Sequence, residues 1–453
     1  MNALELAERA LACVPACDGA QAMVVGERSL LLRFARSRST QATGIEDLSV
    51  QVTALRDGHT GSATTNGSSP EALAECARAA SARAEAVART GGSGTYPGLP
   101  APSPPRPHRG HDADTARLDP AVGGRALAAA FEVARAHGVE AHGVWTAAEV
   151  ETAVASSEGV RATDRVTDAF AKVTCFAPGG RSGYASAAAV AAGELDLRAL
   201  AERAAAKAAM PGAPARLEPA EYPVVMEAPA VGELLTWLSY MAFDGLAFAE
   251  DRSALGDRLG RRVAAASINL SDSPRYPGTL PRAFDAEGVA KAPLPLIQDG
   301  VAAAVTHDTR SAALAGGGAS STGHALAPGG SPWGAPPTNL VMVGGGASDE
   351  LELCRPIERG VYVTRLWYTN AVREKETLIT GVTRDGTFLI EHGELTRPLE
   401  DLRLTDTVLG ILEQAEALTA RTQLTSEGEF YGRRFATGVV CPALRSGGVR
   451  FSA

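Results

Sequence analysis

Residues 48–55 restrict the fold more than any other segment, because apolar and polar side chains alternate along them. A period of two is typical of a β-strand with one buried face. An Asp-Gly pair at 57–58 follows as a tight turn, and residues 60–65 continue as a second strand. Two further strand-like runs, 22–25 and 29–35, precede them. This part of the chain is therefore predicted to form an antiparallel sheet.

Helices are predicted on both sides of these strands. Residues 3–13 place apolar side chains on one helical face. Ser69 is suited to cap a second helix, with Pro70 at its first position, and this helix is predicted to reach about residue 87. The N-terminal segment is therefore predicted to be helix, antiparallel strands and helix.

Composition divides the rest of the chain. A stretch dense in Gly, Pro, Ser and His is predicted as a linker or surface loop, with His108 and His111 as solvated side chains. A second helix–strands–helix segment follows, with helices over 125–137 and 196–209. Beyond about residue 252, short strands and glycine-bearing turns predominate, with one late helix near 405–420.

The fold class predicted is α+β, with N-terminal mixed sheet-and-helix segments followed by a β-rich C-terminal domain. The predicted divisions are an N-terminal α+β segment (1–88), a linker or loop (89–120), a central α+β segment (121–219) and the β-rich C-terminal domain (220–453).

Charge and hydropathy exclude several classes of function. The net charge of −9 and pI near 5.5 argue against a general electrostatic grip on nucleic acid. No run approaches the roughly 20 apolar residues that span a bilayer. The first residues include acids and lack the basic start and apolar stretch of a signal peptide, so a cytoplasmic protein is expected. The cysteines are predicted to be small buried hydrophobes rather than disulfide or metal partners. They are Cys13, Cys17, Cys76, Cys175, Cys354 and Cys441.

A series of short motifs spans nearly the whole chain in a fixed order. Each is turn or strand chemistry that many β proteins share, but together they resemble the TldD/PmbA (TldE) family of zinc metallopeptidases. The matching segments are 33–35 with 41, 57–66, 284–289 with 296–301, 321–324, 337–340, and 360–363 with 380–395.

The resemblance implies a peptidase architecture in which a TldD-type subunit pairs with a TldE-type subunit. The TldD type holds zinc through His-Glu-x-x-x-His on a helix and a cysteine nearer the C-terminus, with the glutamate acting on the bound water. The matching positions here are Thr236, Trp237 and Met241, which cannot supply that ligand set. The segment that matches the distal cysteine, 424–428, has no cysteine, and Cys441 lies beyond it. The chain is therefore identified as TldE-type, with no cofactor of its own and zinc in the partner.

Large apolar side chains occupy the helix that carries these positions. Trp237, Tyr240 and Phe243 recur at intervals of three residues, which indicates either core packing or contact with a partner. Asp285 and Glu287, two residues apart, would share one face of a strand as an acid–base pair, although carboxylates at a turn or strand edge give the same pattern.

A glycine-rich loop, 316–323, provides the candidate substrate-binding residues. Its backbone N–H groups could meet a peptide beside a groove, and the alternative is a flexible hairpin turn followed by an incidental histidine. The candidates are Gly317, Gly318, Thr322, Gly323 and His324.

The function predicted is a non-catalytic TldE/PmbA-type subunit that shapes the chamber of a zinc peptidase and binds peptide as an added β-strand. One alternative is a stand-alone hydrolase or transferase in peptide-derived metabolite biosynthesis, using the paired carboxylates or Cys441. Another is a peptide-binding scaffold, with a homodimer in place of the TldD-type heterodimer. Activity of its own is left open. The family's older description, modulator of gyrase, gains no support from this acidic chain.

Overall fold

The computed structural model describes residues 2–91, 94–426 and 433–452. About 24% of the chain is helix and 40% strand, in antiparallel and mixed sheets, which confirms the α+β class. The helices are α1 Ala3–Ala12, α2 Pro70–Arg89, α3 Pro120–Ala136, α4 Leu197–Ala208, α5 Ala228–Leu238, α6 Gly245–Ala249, α7 Thr309–Ala315, α8 Glu350–Cys354 and α9 Val408–Glu413.

The strands are shared between two sheets. They are β1 Gly19–Ala35, β2 Arg38–Arg56, β3 His59–Thr65, β4 Glu140–Ser156, β5 Arg161–Phe176, β6 Ser182–Ala189, β7 Glu221–Met226, β8 Leu270–Asp272, β9 Leu294–Gln298, β10 Val301–Ala302, β11 Asn339–Met342, β12 Arg359–Arg373, β13 Leu378–Glu391, β14 Glu394–Pro398, β15 Arg403–Thr407, β16 Ala415–Thr425 and β17 Gly438–Ser452.

The N-terminal sheet contains two copies of one unit. Its order is β3-β2-β1-β4-β5-β6, with every pairing antiparallel. The first unit is α1, three strands and α2, and the second is α3, three strands and α4, so β1 and β4 meet at the centre of the sheet. The two predicted helix–strands–helix segments therefore build a single layer.

Successive residues of β1 pack into different cores on the two faces of this sheet. Ala22 and Val24 of β1 pack in a core with residues of α1 and α2. Met23 and Val25, pointing the other way, pack against Phe284 of the C-terminal part. Helices thus cover one face of β1, and the C-terminal part covers the other.

Strand pairing in the C-terminal part closes on itself. β17 pairs with β15, β15 with β13, β13 with β12, β12 with β7, and β7 again with β17. A closed ring of strands leaves few free edges. From β17, the sheet also continues through β11, β8, β9 and β10. Helix α5 follows β7 directly and packs against β12 and β17.

Two predictions about secondary structure and loops were wrong, and the prediction of strand in two separate runs is refined. The late helix over 405–420 is only the short α9, after which residues 415–425 form β16 because they pair with β17. The runs 22–25 and 29–35 belong to the single long strand β1. His108 is not a solvated loop residue: its Nε2 lies 2.8 Å from Oδ1 of Asp164, and its side chain is 7% exposed.

All six cysteines are free, and four of them are buried. The four buried cysteines agree with the prediction of small buried hydrophobes, while Cys13 and Cys17 are half-buried rather than buried. Within the described residues, every helix is too short or too polar to cross a lipid bilayer.

Candidate functional site

Helix α5 is fixed at its start by a charge cluster around the buried Glu227. Glu227 precedes the helix, and its carboxylate lies 2.5 Å from Lys207 Nζ and 3.0 Å from Arg203 Nη2. Tyr362 also donates a hydrogen bond to it, at 2.7 Å. Burial alone would raise the pKa of Glu227, but Lys207 and Arg203 hold that pKa below its ordinary value. Because both cations belong to α4, this cluster joins the N-terminal layer to α5.

The three positions that match the family's His-Glu-x-x-x-His motif point into different surroundings. Thr236 Oγ1 donates to the carbonyl of Gly232 at 2.8 Å, and Trp237 Nε1 donates to Glu233 Oε1 at 3.1 Å. Met241 lies in a π-helical turn, Ser239–Phe243, and is 2% exposed inside the hydrophobic core. Thr236 and Trp237 thus face a cleft while Met241 faces the core.

These side chains do not fit a zinc ion. Indole and thioether groups are poor zinc ligands, and the Thr236 hydroxyl is engaged by the helix backbone. Among residues 2–91, 94–426 and 433–452, no group of three His, Cys, Asp or Glu side chains is placed to hold a metal. In the segment matching the distal cysteine, Glu427 and Gly428 lie outside the described residues.

Cys441 lies beside α5 but is closed off. It is 0% exposed, and its Sγ donates to the carbonyl of Ala228 at 3.3 Å. Burial raises the pKa of its thiol well above the ordinary value, so the reactive thiolate is suppressed.

A cleft of about 600 Å³ opens beside the exposed side of α5. It lies where β5 and β6 of the N-terminal layer meet α5, β12 and the ends of β16 and β17. Gly232 lets α5 approach β16 closely, because a Cβ there would lie 2.1 Å from Thr425 Oγ1. In the part of the chain that the structure describes, six aromatic residues line the cleft. They are Phe170, Tyr184, Trp237, Tyr240, Trp367 and Tyr368.

One wall of this cleft is a strand segment with a single neighbour. β12 pairs with β7 only at residues 361–363, so among the described strands residues 365–369 adjoin β13 alone. The register with β13 shifts between Trp367 and Asn370, and Tyr368 within this bulge has φ = 52°. A bulge at an open edge can redirect side chains and leave backbone groups available to another strand.

An aromatic and cationic stack supports the same wall. The Arg365 guanidinium lies 4.4 Å from the ring centre of Tyr184 and 5.0 Å from that of Trp367. Arg384 approaches the Trp367 ring at 5.6 Å. Asp385 accepts from Nε of Arg365 at 2.8 Å and from its Nη2. The stack joins β6 of the N-terminal layer to the β12–β13 hairpin.

The candidate glycine-loop residues are not gathered on one surface. Gly317 and Gly318 are exposed, whereas Gly323 and His324 are buried and Thr322 is half-buried. Thr322 Oγ1 lies 2.9 Å from His324 Nδ1, and Lys291 Nζ donates to the Gly323 carbonyl at 3.2 Å. The substrate-binding role of these five residues stays a prediction, and none of them lines the aromatic cleft.

His324 belongs to a buried ionic cluster. Its Nε2 lies 3.2 Å from Asp272 Oδ1, and Lys291 Nζ lies 3.4 Å from the same oxygen. Asp272 also accepts from the backbone N–H groups of Thr338 and Asn339. Burial opposes ionisation of Asp272, but Lys291 and His324 lower its pKa below the ordinary value. This set cross-links β8 to β11 and the glycine-rich loop.

Asp285 and Glu287 lie in a buried turn rather than along a strand. Asp285 accepts from the backbone N–H groups of Glu287, Val289 and Ala325. Burial raises the pKa of Asp285 to about 6, and burial with the Asp285 charge raises that of Glu287 to about 8.

The partners of Glu287 tie the predicted linker to the C-terminal part. Tyr96 OH donates to Glu287 Oε1 at 3.1 Å, and the hydroxyl of Thr309 donates to Oε2 at 2.5 Å. Glu287 is 0% exposed, so these hydrogen bonds hold residue 96 against the C-terminal part in a site closed to solvent.

Sequence reasoning singled out Thr236, Trp237 and Tyr240 on the α5 side of the cleft but missed its β12 side. One signal for the site was present in the sequence: Trp367 and Tyr368 are adjacent aromatic residues, and they interrupt the apolar–polar alternation expected of a strand. Their connection to α5 depends on strand order, which local patterns do not encode.

The sequence was compared with models of known protein families. Models of three PmbA/TldA metallopeptidase domains match the chain: domain 1 over 20–84, the central domain over 116–210 and the C-terminal domain over 219–453. A search of curated proteins gave no match.

Solved structures share the fold over nearly the full length. TldE from Thermococcus kodakarensis has a TM-score of 0.85 and 19% identity, covering 100% of both chains. A protein of Thermotoga maritima described as a modulator of a DNA gyrase has a TM-score of 0.82 and 19% identity over 96% of both chains. A similarly described protein of Bacteroides thetaiotaomicron has a TM-score of 0.79 and 19% identity, covering 100% of this chain and 98% of the other.

Proposed function

Because the chain belongs to the PmbA/TldD family of metallopeptidases, we propose that it is the non-catalytic, TldE-type subunit of a peptidase assembly whose zinc is held by a TldD-type partner. The observation that carries this proposal is the composition of α5. Thr236 and Trp237 face the cleft with side chains that do not bind zinc, and Met241 is part of the core. A metal-dependent hydrolysis would therefore need ligands from another subunit.

The open edge of β12 supports a role in holding peptide. An extended peptide can pair with a strand that lacks one neighbour, taking affinity from main-chain hydrogen bonds. Residues 365–369 offer such an edge inside the cleft, next to α5. The edge strand β6 also borders the cleft, but it is less suited to pairing with a peptide. Lys207 and Gln423 already donate hydrogen bonds to the backbone carbonyl groups of Tyr184 and Ser186.

The structure gives less support to a stand-alone enzyme. Cys441 is buried with a raised thiol pKa, and Glu287 has no exposed surface through which to reach a substrate. A pure peptide-binding scaffold is consistent with the same cleft. It differs from the proposed subunit in one measurable respect, because a scaffold adds nothing to a partner's turnover.

Metal content and peptidase activity of two preparations test the proposal: the chain alone, and the chain co-purified with a TldD-type protein encoded beside it. We expect zinc and turnover only in the pair, at about one zinc per partner subunit. A chelator should abolish the pair's activity but leave the Tm of the chain alone unchanged.

Three results would contradict the proposal. Stoichiometric zinc in the chain alone would show a metal site that its side chains do not reveal. Turnover by the chain alone would establish a stand-alone enzyme, and Glu287→Gln and Cys441→Ala variants would then locate the chemistry. Unchanged partner activity with and without this chain would favour the scaffold.

A further inference from the structure

We propose that the aromatic cleft selects peptides that carry a large apolar or aromatic residue, with Trp367 and Tyr368 as the specificity-determining side chains. This inference rests on the proposed function, because it names the class of peptide that the β12 edge would hold. The side chain of the bound peptide would lie between these two residues on β12 and Trp237 and Tyr240 on the α5 side.

The lining of the cleft is the first support. Of the 19 described residues that line the cleft, six are aromatic, whereas aromatic residues make up 5% of the chain. Tyr240 is 46% exposed, Trp367 44% and Tyr368 79%, so their rings have surface available to a ligand. Aromatic rings offer large contact areas with few rotatable bonds, and they dominate the energetics of protein interfaces.

The backbone of β12 is the second support. In a regular strand, neighbouring side chains point to opposite faces, so Trp367 and Tyr368 would not both serve one cleft. The register shift after Trp367 and the left-handed φ of 52° at Tyr368 interrupt this alternation, and both residues line the cleft. Holding a non-glycine residue in that region costs free energy, and such costs concentrate at functional sites.

Charge in the cleft favours an apolar side chain over a charged one. Arg365 is neutralised by Asp385 and covered by two rings. Among the described lining residues, the other charged side chains are Lys172 and Glu233, which have opposite signs. A volume of about 600 Å³ lies within the range of sites that enclose small ligands, and it accommodates a ring together with its backbone.

Fluorescence anisotropy with four labelled heptapeptides tests this selectivity. The peptides share a polar sequence and differ only at the central residue, which is Phe, Leu, Ser or Asp. We expect the Phe and Leu peptides to bind the chain, or the chain with its partner, at least about tenfold tighter than the Ser and Asp peptides.

Three variants assign the effect to the cleft. Tyr368→Gly removes the ring and also relieves the positive φ, so a loss of selectivity cannot be blamed on misfolding. Trp367→Phe keeps a ring at that position and should preserve most of the selectivity, whereas Trp367→Ala should remove it. Trp333→Ala is the matched control, because Trp333 is 78% exposed and lies outside the cleft.

The outcomes separate this inference from the proposed function. Equal binding of all four peptides overturns the selectivity and leaves the subunit role standing. Failure of every peptide to bind either preparation overturns the peptide-holding role itself. If Tyr368→Gly instead weakens association with the partner while peptide binding is unchanged, the aromatic residues are an intersubunit contact and the inference is wrong.

Discussion

Replacing Glu287 with glutamine should change how stability depends on pH. Glu287 is completely buried, and burial followed by the charge of Asp285 raises its pKa from 4.5 to about 8. Between these values the folded chain retains a proton that the unfolded chain has released. The stability that Glu287 contributes is therefore fully present below about pH 4.5 and is lost as pH rises towards 8.

The size of the effect follows from the width of that window. Each pH unit is worth about 1.4 kcal/mol for one proton, so the loss between pH 5 and pH 8 is on the order of 4 kcal/mol. Asp285, whose pKa is raised from 3.8 to about 6, adds to the slope at the acidic end. Glutamine keeps the shape and cannot ionise; its oxygen can accept from Thr309 while its amide donates to Tyr96.

The Tm of the parent chain and of Glu287→Gln, measured from pH 5 to pH 8, is the appropriate readout. The variant should be no more stable than the parent at pH 5 and clearly more stable at pH 8, because glutamine has no proton to lose. Comparing the difference in Tm between the two chains cancels the titration of other groups. Glu394→Gln, at an exposed position in β14, serves as the control and should give a flat difference. A flat difference for Glu287→Gln as well would refute the assignment of a retained proton.

Three further predictions concern other parts of the molecule. Arg434→Ala leaves the buried Asp168 without its cation and should destabilise the chain by about 3–5 kcal/mol, seen as a lower Tm that Asp168→Ala partly restores. Cys441 should resist alkylation by iodoacetamide in the native chain and react after unfolding in urea, as mass spectrometry would show. The double variant Thr236→His, Met241→His should bind no zinc by elemental analysis, because residue 241 faces the core.

Patterns with strong local causes were predictable from the sequence. The alternation over 48–55 and the Asp-Gly turn correspond to β2 and β3, and the Ser69 cap with Pro70 begins α2 as expected. In each case, residues within a few positions of one another fix the structure, through side-chain direction or a capping hydrogen bond.

Features that depend on distant residues were not predictable. His108 was assigned to solvent because its partner, Asp164, is 56 residues away. The helix predicted near 405–420 is cut short, because residues 415–425 pair with β17 and that pairing outweighs local preference. The cleft itself exists because β6, α5 and β12 meet, and nothing in the local sequence of Trp367 or Tyr368 encodes that meeting.

Helix α5 and the turn that follows it present some side chains to the core and others to the cleft. For this reason, the positions that match the family's zinc motif are not an empty metal site. Met241 and Phe243 belong to the core, so their size and apolar character are needed for stability. Trp237 and Tyr240 line the cleft, so the same short segment also forms a binding wall. Polar ligands at the core positions would bury unpaired groups, and ligands at the cleft positions alone are too few for zinc.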